Sequence, residues 1–398
     1  MHTSAIVCEY NPMHNGHIYH INETKKLGAT HIVSIMSGSF VQRGEAAIFS
    51  KEARTKMALS SGVDLVLELP SIWSMSSAEL FAFSSVYIAN SLGIIDSLSF
   101  GAENESIDDL CKLSDILNSD KLKSLIKENL KSGISFASAR AKAVESMLGE
   151  NYSKLISTPN NILAIEYLKA LRKLNSKINP LAIKRSGSSH DSKITHNSYL
   201  SAMQLRNCIL EKDYNLQSFV SPEIMNIMVE EISAKRAPAS IYNLERAILY
   251  KLRTLSKQCL NNIADVSEGI ENKIYKSALN CVSLDELYRA IKSKRYAMSR
   301  IRRIVLSAFL DFNKNVTSLY PQYVRVLGFN SKGLELLKVA KQRSSLPIVT
   351  KSSDISNLNI MAHSIFESEA RATDVYNLTL PKVLPCGYEF TRKIVKLP

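Results

Sequence analysis

Eight histidines are spread over 398 residues, yet His14, His17 and His20 all fall within residues 9–20, EYNPMHNGHIYH. His14 and His17 are three apart, close to one helical turn, so two imidazoles can face one bound group. Gly16 between them allows a close backbone approach, and Asn11-Pro12 marks a turn just before. Imidazole N–H groups aimed at one point can hold an anion, and their hold strengthens as charge builds on a transferring phosphate. They need no formal positive charge to do so. A helix N-terminus at the same place adds unpaired backbone N–H groups and the positive end of the helix dipole. Two histidines beside a turn can also be plain surface residues, so the elements around them decide.

Residues 4–9 (SAIVCE) form a short apolar, β-branched run directly before the turn, and a helical pattern runs from Gly16 to about Leu27. Next come 31–36 (HIVSIM), a helical stretch over 50–61, 64–69 (DLVLEL), a helix over 76–92, and 97–100 (SLSF). Short buried runs alternating with amphipathic helices predict an α/β fold, a Rossmann-like parallel sheet of right-handed βαβ units. The histidine pair then lies beyond the carboxyl end of the first strand, where such sheets bind ligands. The pattern turns helical to about residue 175. A strand at 181–184 (LAIK) precedes a Gly/Ser-rich loop at 186–189, and a further helix opens near Ser201. Beyond 211 the chain reads as mostly helical and basic, with β-branched runs at 347–350 and 388–395. The expected division is a catalytic domain over 1–210 and a basic, mostly α-helical domain over 211–398.

A chain 45% hydrophobic at this length can bury a core for two domains. The N-terminus lacks the basic and apolar regions of a signal peptide. The most apolar stretch, 80–95, is broken by Ser84, Ser85, Asn90 and Ser91, and reads as a buried helix. Six scattered cysteines with no CxxC pair read as buried thiols of a reducing cytosol rather than a zinc site. A cytoplasmic protein with no membrane partner is expected. The net charge of +13 is uneven: residues 1–110 carry 6 Lys and Arg against 12 Asp and Glu, and the rest carry 44 against 25. An acidic front fits small-molecule chemistry, and a basic back fits a polyanion. The clearest basic segment is 289–304, RAIKSKRYAMSRIRRI. As one helix it would offer Arg289, Lys292, Lys294, Arg295, Arg300, Arg302 and Arg303 to RNA phosphates, with Tyr296 placed to stack a base. A solvated basic helix face is the plain alternative.

Placed after the first strand, HNGH resembles the HxGH signature of the nucleotidylyltransferase superfamily, whose members bind ATP and transfer its adenylyl group. The likeness extends to EYNPMHNGHIYHI, MSGSFVQRGEAA, SKEARTKMALSSGVDLVLELP, FGAENES, TPNNILAIEYLKAL and IKRSGSSHD, over residues 9–191. These blocks resemble the tRNA(Met) cytidine acetate ligase family. The resemblance implies an enzyme that uses ATP and acetate to form N4-acetylcytidine at the wobble position, C34, of elongator tRNA(Met).

The resemblance also implies roles. His14 and His17 would act on the phosphates, and the surrounding Val7, Glu9, Tyr10, Asn11, Gly16 and His20 would line the ATP. Gly101, after the fourth strand, would let adenosine approach the backbone. One of Asn160 and Asn161 would contact the nucleotide and one would cap the helix that follows; which does which stays open. Arg185 would be a further ATP contact. Residues 201–206 (SAMQLR) resemble the superfamily's second signature, with Ser201 and Arg206 on the β- and γ-phosphates, although Met203 and Gln204 replace the usual hydroxyl residues. Mg²⁺ is compatible as a passenger on the phosphates, and no carboxylate cage for it stands out. The loop at Ser37, Gly38 and Ser39, continued by Phe40, Gln42 and Arg43, could meet the substrate carboxylate, with Arg43 as its cation. A small-molecule adenylyltransferase, or an acetate ligase acting on a carrier thiol, shares the HxGH chemistry but gives the 44 downstream basic residues no task. A non-catalytic RNA-binding protein is disfavoured by the intact motif, and an aminoacyl-tRNA synthetase by the lack of a KMSKS-like loop.

Overall fold

The computed structural model describes residues 1–103, 106–184 and 200–398. Its strands are β1 (Thr3–Cys8), β2 (His31–Ser37), β3 (Phe40–Val41), β4 (Glu45–Ala46), β5 (Leu65–Leu69), β6 (Ser97–Ala102), β7 (Asn179–Lys184), β8 (Val324–Phe329), β9 (Ile348–Val349) and β10 (Val395–Lys396). The helices that bear on the site are α1 (Asn15–Lys26), α2 (Lys51–Ser60), α3 (Ala78–Ser91), α4 (Pro159–Lys173), α5 (Ala202–Leu210), α6 (Leu284–Ile291), α7 (Met298–Phe309) and α8 (Ile360–Asn377).

The main sheet runs β10-β8-β5-β2-β1-β6-β7, with β9 on β8. The five strands from β5 to the edge strand β7 are parallel, as the short apolar runs require. Alternation along β1 and β2 sends Ala5, Val33 and Ile35 to one face and Ile6, Ile32 and Met36 to the other. Both faces are buried, α1 and α2 covering one (Ile21, Met57) and α3 and α4 the other (Ile88, Leu168). The chain steps from β1 outward through β2 to β5, then returns to β6 on the other side of β1. That reversal opens a crevice at the carboxyl ends of β1 and β6.

The second half of the chain is mostly helical but returns to the first. β8 pairs antiparallel with β5, Leu65 opposite Phe329, so a boundary at 210/211 cuts through the sheet. The 388–395 run holds a short helix, Tyr388–Thr391, before β10. Residues 289–304 are not one helix: α6 ends at Ile291 and α7 starts at Met298. Thr158 occupies the N-cap position of the helix at 159, with Pro159 in its first turn, so neither asparagine is its N-cap. Cys8 and Cys281 are buried, but Cys259 and Cys386 are exposed. Among the described residues, no helix is long and apolar enough to cross a membrane.

Candidate active site

The turn after β1 is held from three directions. Tyr10 takes a left-handed backbone conformation (φ 46°), and its buried hydroxyl pairs with the Ser34 hydroxyl at 2.9 Å. The Asn11–Pro12 peptide is cis, and Asn11 Oδ1 accepts from the Ile48 N–H at 2.8 Å. From below, the fully buried Arg54 of α2 donates to the carbonyls of Glu9 (2.8 Å), Ser37 (2.9 Å) and Gly38 (2.5 Å), tying the ends of β1 and β2 together. Arg54 is a positioning residue that the sequence reading passed over. Its signal was a charged side chain set among the buried Ala53, Met57 and Ala58.

His14 is the N-cap of α1. Its Nδ1 accepts from the Gly16 N–H at 3.0 Å, and His17 Nδ1 accepts from the His14 N–H at 3.3 Å, a reciprocal capping arrangement built from two histidines. An Nδ1 that accepts an N–H carries no proton, so each ring is held as the neutral tautomer with its proton on Nε2. The rings lie 4.0 Å apart, centroid to centroid, and Tyr10 meets His17 edge-on at 5.1 Å. A Cβ on Gly16 would come within 2.8 Å of His14 Cε1, which explains the glycine. His20 Nε2 pairs with Ser99 Oγ of β6 at 2.8 Å.

These residues open on a cavity of about 700 Å³ that straddles β1. Val7, Glu9, Tyr10, Asn11, His14, Gly16, His17 and His20 all line it. On the β6/β7 side Gly101, Asn160 and Tyr167 form the wall, and on the β2/β5 side Gln42, Arg43, Ala78 and Phe81 do so. Asn160 is the asparagine on the wall, its Nδ2 donating to Glu103 at 2.5 Å. Asn161 is buried behind it, accepting from the Glu103 N–H at 3.0 Å and donating to the Leu155 carbonyl at 3.1 Å. Burial raises the Glu9 carboxyl above the usual range, against the pull of the Gln42 N–H it accepts (2.9 Å) and of Arg206 and Arg43.

Ser201 lines the cavity as N-cap of α5, and Gln204 completes a capping box with it: the side chain of each accepts from the other's N–H, at 3.3 and 2.9 Å. The glutamine that departs from the usual hydroxyl pattern therefore has a local task. Arg206 sits beside the turn rather than on the wall, donating to the Asn11 carbonyl at 2.8 Å and pairing with Glu45 at 3.3 Å. Arg185 lies outside the described residues.

The loop at residues 37–39 is not among the residues that line the cavity. Ser37 and Ser39 are buried, and a Cβ on Gly38 would strike Glu369 Oε1 at 2.7 Å. Beneath it Lys51 Nζ lies 2.6, 3.0 and 2.5 Å from carboxylates of Glu68, Glu369 and Glu389, all buried. Arg392 approaches Glu389 at 3.1 Å and Arg325 at 3.7 Å. Burial opposes ionisation of Glu389, but Lys51, Arg392 and Arg325 outweigh it and hold the carboxyl at about 2. Three cations and three carboxylates thus join the amino-terminal sheet to the carboxyl-terminal segment. This cluster was also missed, because Lys51 and Glu68 lie hundreds of residues from its other members in sequence.

The basic segment divides in two. Arg303 is buried against Asp265 (2.7 Å), Arg300 pairs with Glu268 (3.0 Å), and Arg302 pairs with Glu45. Tyr296 is buried and donates to the Glu268 carbonyl at 2.9 Å, so it offers no face to a base. Lys292, Lys294 and Arg295 are exposed on the loop between α6 and α7. The next residues, Met298 and Ser299 at the start of α7, line the cavity. The basic loop therefore lies close to its rim.

A parallel α/β sheet with an HxGH turn at its switch point defines a nucleotidyltransferase, and the HIGH nucleotidyl transferase family model matches residues 1–387. Proteins named tRNA(Met) cytidine acetate ligase are similar over the whole length. That of Thermoanaerobacter sp. (strain X514) is 41% identical over 99% of both chains. That of Caldanaerobacter subterraneus subsp. tengcongensis is 41% identical over 100% of both. Crystal structures of Thermotoga maritima TmcAL cover 100% of both chains. The apo form has TM-score 0.94 at 32% identity, and the form bound with alpha-thio ATP has 0.92 at 31%. The chain belongs to the tRNA(Met) cytidine acetate ligase family.

Proposed function

We infer that this protein is an ATP- and acetate-dependent ligase that acetylates the N4 amine of the wobble cytidine, C34, of elongator tRNA(Met), and that it works in the cytoplasm. The observation that carries the reading is the pair of imidazoles whose Nδ1 atoms accept backbone N–H groups at a nucleotide-sized cavity, in a chain of this family. ATP would lie across β1 with adenosine toward Gly101 and Asn160 and its phosphates toward His14, His17 and Ser201. An acetate oxygen attacks the α-phosphorus, and the bond to the bridging oxygen of pyrophosphate breaks. The Nε2–H donors take up charge developing on the phosphate oxygens, and their fixed tautomer means no proton need rearrange first. The N4 amine then attacks the acyl carbon, a C–N bond forms, AMP departs with the C–O electron pair, and the amine's proton is lost to water.

Mg²⁺ would arrive on the phosphates, since the described residues hold no group of three His, Cys, Asp or Glu side chains that could bind a metal ion alone. Arg206 would reach the β- and γ-phosphates by leaving Glu45. Lys292, Lys294 and Arg295 are the tRNA contacts we propose, with Arg303 set aside because it is buried.

Incubation with ATP, acetate and unmodified tRNA(Met), followed by nucleoside mass spectrometry, tests the reading. N4-acetylcytidine and AMP should appear together. His14→Ala or His17→Ala should lower the rate by about 10²–10³, the scale for one preorganised donor. Equal ATP use with a carrier thiol and no RNA would favour the small-molecule alternative instead.

A further inference from the structure

We propose that acid length is measured at the β2/β5 end of the cavity, with Ala78 and Met298 as the walls that admit acetate and refuse longer acids. The proposal rests on the reading above and adds the determinants of its acyl substrate. β1 divides the cavity lining by topology. Gly101 lies near the end of β6 and Asn160 between β6 and β7, whereas Arg43 lies between β2 and β5 and Ala78 follows β5 on the opposite side. A nucleoside placed at the first end leaves the second to the acid.

That end has the composition a short carboxylic acid needs. Arg43 supplies a cation for the carboxylate, on a turn pressed against α7: a Cβ on Gly44 (φ 72°) would fall 2.5 Å from the Arg303 nitrogen. Ala78, Phe81 and Met298 supply apolar surface for a methyl group. Phe81 is 3% exposed and part of the core, so it is a rigid back wall. Ala78 and Met298 are only partly buried, each opening its helix, and their side chains differ most in what a substitution could add or remove. Met298 also comes from the basic half, so the acyl pocket is closed by the segment that carries the proposed tRNA loop.

The test measures kcat/KM for formate, acetate and propionate with ATP and tRNA in the full-length protein. One extra methylene against a fixed wall costs roughly 10–200-fold. Met298→Ala should recover much of this and raise the propionate/acetate ratio at least about 10-fold. Ala78→Val should do the reverse, raising KM for acetate and shifting preference toward formate. KM for ATP should stay unchanged in both, which a general loss of structure would not allow. The substitutions act in opposite directions on different helices, so misfolding of one leaves the other to decide. Unchanged acid ratios in active variants would overturn the pocket assignment alone. No acid-dependent turnover in the unaltered protein would overturn the functional reading and this assignment with it.

Discussion

Gly16→Ala isolates the positioning of His14 from its chemistry. Gly16 does not use the left-handed backbone region, so alanine is conformationally admissible there. Its Cβ would stand 2.8 Å from His14 Cε1 and 3.0 Å from Nδ1, about half an ångström or more inside ordinary contact. The imidazole must turn away, breaking the 3.0 Å bond from the Gly16 N–H and moving the Nε2 donor. Losing that cap costs about 0.5–2 kcal/mol. Replacing glycine by alanine in a helix returns about 0.5–1 kcal/mol, so net stability should change by about 1.5 kcal/mol or less. The rate should not be spared, because a donor misplaced by about 1 Å costs roughly 10²-fold. Acetate-dependent pyrophosphate exchange gives the rate and urea unfolding gives the stability. Activity within threefold of the unaltered protein would refute the argument that Gly16 exists to seat His14. A loss of several kcal/mol would make the glycine a folding requirement instead.

Three further perturbations address the rest of the molecule. Reversing Lys292, Lys294 and Arg295 should weaken tRNA binding and reduce the slope of log affinity against log salt by roughly 0.7–0.9 per lost phosphate contact. RNA-free adenylation should persist, and an unchanged slope would return the loop to a solvated surface. Glu389→Gln should destabilise the fold by roughly 3 kcal/mol at neutral pH, from a carboxyl moved from 4.5 to about 2. A depressed carboxyl contributes fully above its unfolded value and loses that contribution as pH falls through the folded one. The gap between the variant and the unaltered protein should therefore close from about pH 4.5 to pH 2 in denaturant titrations; a constant gap would show that charge is not its origin. Expressing residues 1–210 alone should give an unfolded or aggregating product, because β5 loses β8 and Lys51 loses two of its three carboxylates. A cooperative thermal transition in that fragment would contradict this.

The sequence was most informative where one local pattern determined both element and site. Strands β1, β2, β5 and β6 were legible because strands buried on both faces of a parallel sheet must be short apolar runs. The histidine pair was legible because a turn, a glycine and a helix start are all local features. What escaped depends on contacts across the chain. VRVLGF at 324–329 is as apolar as β5, but only its antiparallel pairing across a gap of more than 250 residues makes it part of the sheet. Basic residues 300–303 looked like an RNA face because charge can be counted along a sequence, whereas the acidic partners Glu45, Asp265 and Glu268 come from other elements. Glu45 makes the point most sharply, since it pairs with Arg206 beside the catalytic turn and with Arg302 on α7. One carboxylate thus holds both the arginine proposed for the triphosphate and the helix whose first residues line the cavity. The two halves separated by composition are joined at the cavity, whose wall includes Met298 and Ser299 of α7.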